Sequence, residues 1–385
     1  MAARDYPPEN PGEFQPTPGK ARPREHGVAA GDGVTLGQKI LGWSRWLLTA
    51  LTVVYCVLYL VVLYGMEHEA ENSQFFSVAM YAPPWVWLLP IIPLGALAIF
   101  VYARLLIPLA LCVPVMIFGF MDLRWNSHVS ATGRAFKVVT NNIGQDHKKS
   151  YTSFADLQKA DIIALQDANP TVHGKQAAEH YPNHHVAAKD QFVLISKYPI
   201  HAADVLPMPD PADPRHRVAA WFELEVEGRP LLVFMLHMPT PRQEIMAVKS
   251  PSAILGMLGK STGNSGALHE QNERFFLRQL ELARQMVQIT RAAKAPFIVC
   301  GDFNVPTHGH CYRLYRENWR EAFSERGQGV GATFPGDAHF PAWLRLDNIY
   351  CSQTGLRPIH AEAESDRGSQ HRAMAASFEF IDARR

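Results

Sequence analysis

The chain has 385 residues, 37 Lys plus Arg against 36 Asp plus Glu, and a 47% hydrophobic content, which is enough to build a sizeable core and excludes a chain disordered throughout. From Asp122 onward it carries 30 basic and 28 acidic residues. That near-neutrality lacks the broad basic footprint of a duplex-DNA binder and argues against a nuclease, without excluding one whose cleft is locally basic.

Residues 1–42 are rich in Pro, Gly and charge with no periodic apolar face, and they read as a disordered cytoplasmic tail. Residues 43–121 form a membrane region with three predicted transmembrane helices at about 46–66, 85–103 and 105–121. The first of these contains no charge and matches the roughly 20 residues a bilayer requires. The second and third are separated only by Arg104 and form a tight hairpin. The first block starts too far from the N-terminus for a cleaved signal peptide. Lys20, Arg22, Arg24, Lys39 and Arg45 precede the first span, whereas Glu67, Glu69 and Glu71 follow it. The positive-inside rule then puts the N-terminus in the cytoplasm and, after three crossings, residues 122–385 on the periplasmic or extracellular side of the inner or plasma membrane. Trp43, Trp46, Trp85 and Trp87 suit an interfacial belt.

Beyond the spans, strands alternate with helices. Strands are predicted at 136–142, 161–166, 192–196, 218–226, 230–237, 296–300, 346–351 and 373–380, and helices at 151–159 and 272–293. Glu227-Gly228-Arg229 closes a hairpin, and residues 239–270, Gly- and Ser-rich with little periodicity, read as a long loop. Hairpins mixed with helical segments point to an α+β fold. Of the five cysteines, only Cys311 and Cys351 are candidates for a disulfide, and the Cys and His spacing is not of the zinc type.

The apolar run at 296–300 ends in Gly301-Asp302-Phe303-Asn304. Alone, that tetrapeptide reads as an Asx-type turn. Five further positions repeat the pattern: Asn142, Asp167, His237, Asp347 and the segment Ser369-Gln370-His371. A His at a strand end is more often structural than catalytic, and Asp347 beside Arg345 has a simple ion pair as its alternative reading. Six polar strand ends are harder to attribute to packing. On one side of a sandwich they converge on a single cleft, where carboxylates hold a hard cation and imidazoles handle protons.

With Thr140-Asn141-Asn142, Asp161 to Asp167, Leu194 to Pro199, His237, Gly301 to Asn304, Arg345-Leu346-Asp347 and Ser369 to Arg372 in this order, the chain resembles the endonuclease/exonuclease/phosphatase, or DNase-I-like, family over residues 136–380, in its bacterial type with N-terminal spans. The resemblance implies a four-layer α/β/β/α sandwich and Mg2+- or Mn2+-dependent cleavage of phosphoester bonds. It assigns Asp167 and Gln370 to the metal, Asn142 to the metal or the phosphate, Asp302 to the attacking water and Asn304 to the phosphate. His371, oriented by Asp347, would contact the scissile phosphate and transfer protons, with His237 as a second histidine. The chain departs from the family where Asp167 replaces Glu and Gln370 replaces Asp. The alternative function is therefore a degenerate member that binds a phosphorylated ligand or acts as a scaffold. Tethering at a bilayer favours a phospholipid-like or small phosphodiester substrate, and the fold alone suits nucleic acid equally well.

Overall fold

The computed structural model describes residues 35–127, 129–144, 150–210, 214, 217–247, 264–366 and 368–381. The expected tail lies outside them up to residue 34, as do residues 248–263 of the expected long loop.

Three apolar helices lead the chain. The first, α1 (Leu36–His68), starts at a capping box in which Thr35 and Gln38 satisfy each other's backbone amides. After the short α2 (Gln74–Ala79), the other two helical stretches, Pro84–Val101 and Ala103–Phe120, contain α3 (Ile91–Val101) and α4 (Leu106–Pro114). Their mean hydropathies are 2.4, 2.0 and 2.1, and each is long and apolar enough to cross a bilayer. Leu51, Leu58, Val61, Ile92, Phe100 and Ile107 are exposed on them, an apolar surface that only a nonpolar medium would cover at low cost. The C-terminal end of α1, the start of the second stretch and the end of the third all meet the remainder of the protein. There Phe120 stacks on His308 with ring centroids 4.1 Å apart, His308 Nδ1 lies 3.0 Å from Glu67 Oε2, and Trp85 packs edge-on against Trp343.

The rest of the chain contributes β1 (Arg124–Trp125), β2 (Ala135–Asn142), α5 (Thr152–Gln158), β3 (Ile162–Gln166), α6 (Pro170–His180), β4 (His185–Lys189), β5 (Phe192–Ser196), β6 (Ile200–Val205), β7 (Ala219–Val226) and β8 (Arg229–His237). These are followed by α7 (Arg242–Ala247), α8 (Asn264–Arg291), β9 (Phe297–Asp302), α9 (Gly309–Asn318), β10 (Trp319–Glu321), α10 (Ala322–Arg326), β11 (Gln328–Gly329), β12 (Asp347–Ser352), β13 (Leu356–Ala363) and β14 (Met374–Phe380). Two mixed six-stranded sheets result, in the orders β10-β12-β9-β8-β7-β6 and β13-β14-β2-β3-β5-β4. In each, one central pair is parallel, β8 with β9 and β2 with β3, and the other pairs are antiparallel. The sheets face one another over a core that includes Phe136, Ile162, Leu194, Phe222, Val233 and Ile298. Helices α8 and α9 cover the outer face of one sheet through Leu280, Met286, Tyr312 and Tyr315. On the other sheet α5 and α6 do the same through Phe154, Ala155 and Ala177. This is the expected four-layer α/β/β/α sandwich.

The central strands, Ile162–Gln166 and Phe192–Ser196, are buried at every residue, which is why they read as continuous apolar runs rather than alternating ones. Two expectations need correction. Within 239–270 the chain forms α7, and α8 begins at Asn264, eight residues before the periodic stretch. Extending a helix already nucleated by the buried face of Phe276, Leu280, Ala283 and Val287 costs little per added residue. Cys311 and Cys351 are buried free thiols, one on a helix of the outer layer and the other on β12 facing the inter-sheet core.

Candidate active site

The two parallel pairs set the register that brings the polar strand ends together. β8 and β9 align His237 with Asp302, β12 aligns Asp347 with Asp302, and β2 and β3 align Asn142 with Gln166. Gly301 makes the first close approach possible. Its φ is +142°, and a Cβ there would sit 1.9 Å from the Leu236 carbonyl oxygen of the neighbouring strand, so no other residue fits without moving backbone. The turn after it places Asn304 at φ +49°, a left-handed conformation that Asn tolerates better than most residues. Asp167 has the same backbone at the end of β3, with φ +49°.

Asp302 is the focus. Its carboxylate is 1% exposed and accepts from Asn142 Nδ2 at 2.9 Å, from the Asn304 amide at 2.9 Å and from Asn304 Nδ2 at 3.2 Å. Burial raises its pKa, the negative Asp347 adds to the rise, and His371, His237 and Asn142 partly offset it. Nε2 of His371 lies 3.7 Å and Nε2 of His237 3.9 Å from Asp302 Oδ2.

Each imidazole is held by its other nitrogen. His371 Nδ1 lies 2.9 Å from Asp347 Oδ2, and since a carboxylate accepts, Nδ1 carries the proton and Nε2 faces Asp302. His237 Nδ1 lies 2.6 Å from Gln191 Oε1, and the Gln191 amide is fixed that way round because its Nε2 donates to the Arg217 carbonyl at 3.0 Å. Burial by itself would depress the His371 pKa, but Asp347 and Asp302 outweigh it and push the imidazole up to about 9. Asp347 is fully buried, its amide donates to Thr333 Oγ1 at 3.1 Å, and its Oδ1 has no hydrogen-bond partner among the described residues. It does not pair with Arg345, which instead reaches Asp122 at 2.5 Å and Glu321 at 3.1 Å.

One cavity of about 230 Å3 is lined by Asn142, Asp167, His237, Asp302, Asn304, Gln370 and His371, with Ile143, Gly144, Thr240, Arg242 and Ser369. Every sequence-predicted site residue except Asp347 faces it, and Asp347 stands behind His371. Both amide hydrogens of Asn304 are committed, one to Asp302 and one to the Met238 carbonyl at 2.8 Å, so in this geometry its side chain holds Asp302 in place.

Asp302, Asp347 and His371 form the acid and imidazole cluster of the site, with one ligand atom from each within 4.8 Å of the others. The walls also offer Asp167, Asn142 and Gln370, an all-oxygen donor set that fits a hard divalent cation completed by water. At about 30 Å3 per water the cavity has room for that hydration.

Sequence reasoning missed four supporting residues. Gln191 fixes His237, and Thr333 anchors Asp347. The Tyr81 hydroxyl, from the segment between the first two apolar helices, donates to the Asn304 carbonyl at 2.8 Å, and Gln279 Nε2 donates to the same oxygen at 3.2 Å. Nothing local marks these residues, because their partners lie 14 to 223 positions away.

The family model described as "Endonuclease/Exonuclease/phosphatase family" matches residues 142–371. Similar solved structures include an endonuclease/exonuclease/phosphatase family protein from Bacteroides thetaiotaomicron, at 14% identity over 65% of this chain and 96% of that one with a TM-score of 0.46. The human Nocturnin catalytic domain with bound sulfate matches at 15% identity over 64% and 95%, with a TM-score of 0.44. A mannosyl-6-phosphatase from Bacteroides thetaiotaomicron matches at 14% identity over 64% and 100%, with a TM-score of 0.43. Among curated proteins none matches.

Proposed function

The chain belongs to the endonuclease/exonuclease/phosphatase family, whose members are phosphoester hydrolases, and from that premise we propose that it is a membrane-anchored phosphoesterase dependent on Mg2+ or Mn2+. The active unit is residues 122–385, held outside the cytoplasm by the region 43–121. The observation that carries the reading is the convergence of Asp302, His237 and the Asp347–His371 pair on one cavity.

Hydrolysis needs a water oriented in line with the scissile P–O bond, a site for its proton, charge neutralisation at the phosphoryl oxygens and a proton for the leaving oxygen. Asp302, a buried carboxylate that faces the cavity with its pKa raised by burial, is suited to orient the water and take its proton. As the new P–O bond forms and the old one breaks, His371, protonated at neutral pH because its pKa is raised, supplies positive charge to the phosphoryl group and a proton to the leaving alkoxide. Asp347 fixes the tautomer and direction of that imidazole. His237 faces the same Asp302 oxygen and contacts the phosphate from the other side. Asn304 and Asn142 hold the carboxylate through hydrogen bonds. Asp167, Asn142 and Gln370 are the residues that would hold the cation, which supplies Lewis-acid neutralisation of the phosphoryl oxygens when bound.

The test is turnover of bis(p-nitrophenyl) phosphate by the full-length protein with Mg2+ or Mn2+, against Asp302→Asn and His371→Asn. Each substitution is expected to reduce kcat by roughly 10²-fold or more, in line with the loss of one acid–base group. No turnover by the wild type, with either ion, of this diester, of phosphatidylglycerol or of single-stranded DNA refutes the reading. Gln370, an amide in the expected acidic position, favours a second reading in which the protein binds a phosphorylated ligand without cleaving it. Under that reading Gln370→Asp gains hydrolysis that the wild type lacks.

A further inference from the structure

A second cavity of about 670 Å3 lies between α7 and α8 and adjoins the catalytic one, with Thr240 and Arg242 lining both. Its volume falls in the roughly 300–1,000 Å3 range of small-molecule sites. Its walls combine Arg242, Arg274 and Arg278 with Phe275 and Pro239. Its acidic members are Asp210 and Glu244, so three guanidinium groups stand against two carboxyl groups. Arg274 and Arg278 are partnered by Glu270 and Glu281 on their own helix, exposed pairs that cost little to exchange for an anion. Gln279 lines the same cavity and is 1% exposed; its Nε2 is used by Pro239 and Asn304, and its Oε1 has no donor among the described residues. A buried acceptor left unpaired is costly, and a hydroxyl or amine donor from a ligand would satisfy it.

The location narrows the ligand. Phe275 of the cavity wall and Ile245 of α7 pack against the cluster that Tyr59, Met66, Cys112 and Met116 of the apolar helices build. The cavity therefore lies between the catalytic residues and the place where the proposed spans emerge, and Trp87 packs against the same cluster.

We propose that this second cavity seats the non-scissile part of a membrane phospholipid with a hydroxylated headgroup, whose phosphodiester then lies among Asp302, His237 and His371. The inference rests on the phosphoesterase reading and deepens it. Arg242, which lines both cavities, faces the phosphodiester charge; Arg274 and Arg278 donate to the ester carbonyl and headgroup oxygens of the seated part, the Phe275 wall faces its first methylenes, and Gln279 Oε1 accepts from a headgroup hydroxyl. Water adds to phosphorus and the bond to one ester oxygen breaks, giving a phosphomonoester and an alcohol. A nucleic acid strand would need an extended basic track rather than a short cavity abutting the apolar helices.

The experiment uses the full-length protein in neutral detergent micelles with Mg2+ or Mn2+, comparing wild type with the double variant Arg274→Gln, Arg278→Gln and with Arg274→Lys, Arg278→Lys. Substrates are phosphatidylglycerol in the micelles, soluble bis(p-nitrophenyl) phosphate and a short single-stranded DNA. The expected result is hydrolysis of phosphatidylglycerol with KM raised about tenfold in the Gln variant, partial recovery in the Lys variant, and kcat within twofold. Kinetics on bis(p-nitrophenyl) phosphate stay unchanged, which also shows that the variants fold. Phosphatidylglycerol turnover with the same KM in both forms overturns the proposal. So does hydrolysis of bis(p-nitrophenyl) phosphate without any of the lipid, or a KM effect on DNA alone. If the wild type turns over none of the three substrates, the phosphoesterase reading itself fails.

Discussion

Replacing Asp347 by Asn separates orientation of His371 from its chemistry. Asp347 is the main group raising the His371 pKa, and the net rise from 6.5 to about 9 corresponds to roughly 3 kcal/mol. Asn keeps the shape and can still accept from Nδ1, but it removes the charge, so the imidazole loses the largest of its attractions, keeping those of Asp302 and Asp167, while burial continues to depress it. If the pKa falls by about 1.5 units, the protonated fraction at pH 8 drops from roughly nine-tenths to about a quarter. Protonation alone then costs about fourfold in kcat at pH 8, and weaker positioning brings the total to roughly 10²-fold, within the usual range of one acid–base group. The assay is the pH dependence of kcat on bis(p-nitrophenyl) phosphate, alongside an NMR titration of the His371 ring. The wild type loses activity as pH rises through about 9, because the raised pKa keeps the proton only below it. In Asp347→Asn the alkaline limb moves to lower pH. An alkaline limb still near 9, with kcat within twofold of wild type, would refute the assignment of both residues.

Three further outcomes follow from the geometry. Gly301→Ala places a Cβ 1.9 Å from the Leu236 carbonyl oxygen at φ +142°; the expected loss is about 3 kcal/mol or more, and a thermal midpoint close to wild type contradicts the close-approach account. Tyr81→Phe removes the donor to the Asn304 carbonyl and is expected to cost about 1 kcal/mol, with kcat reduced several-fold and substrate KM little changed; equal kcat shows that this contact does not position the site. Arg345→Met leaves Asp122 and Glu321 without their buried partner, an expected loss of roughly 3–5 kcal/mol at neutral pH. Arg345 holds the Asp122 pKa below its ordinary value against the opposing effect of burial. That contribution is therefore present above the unfolded carboxylate pKa and disappears as pH falls through the depressed one, so the gap between wild type and variant must narrow in acid; denaturant melts across pH check it.

Strand ends were the legible part of the site. Asn142, Asp167, His237 and Asp302 stand where buried runs stop, and His371 stands three residues before one begins; a polar residue at such a point has few packing explanations. The longer strands that escaped the sequence reading, His185–Lys189, Ile200–Val205 and Leu356–Ala363, are edge strands with mixed burial, which carry no continuous apolar run and no clean alternation. The helix Gly309–Asn318 escaped for a different reason: Glu71, from the segment after α1, accepts from the amides of His310 and Cys311 at its start, so its cap comes from 240 residues away.

The sequence by itself determined the three apolar helices, the two-sheet class of the fold and the set of polar residues gathered at one cavity. These depend on local runs, on the charge at their ends and on motif order, all of which one strand or helix displays. Tertiary structure alone decided which imidazole nitrogen faces Asp302, that Asn304 spends its amide on that carboxylate, and that the segment between the first two apolar helices touches the catalytic turn through Tyr81. Each of these is a pairing between residues far apart in the chain, and a hydrogen bond or a shifted pKa belongs to the pair, so neither partner's position reveals it alone.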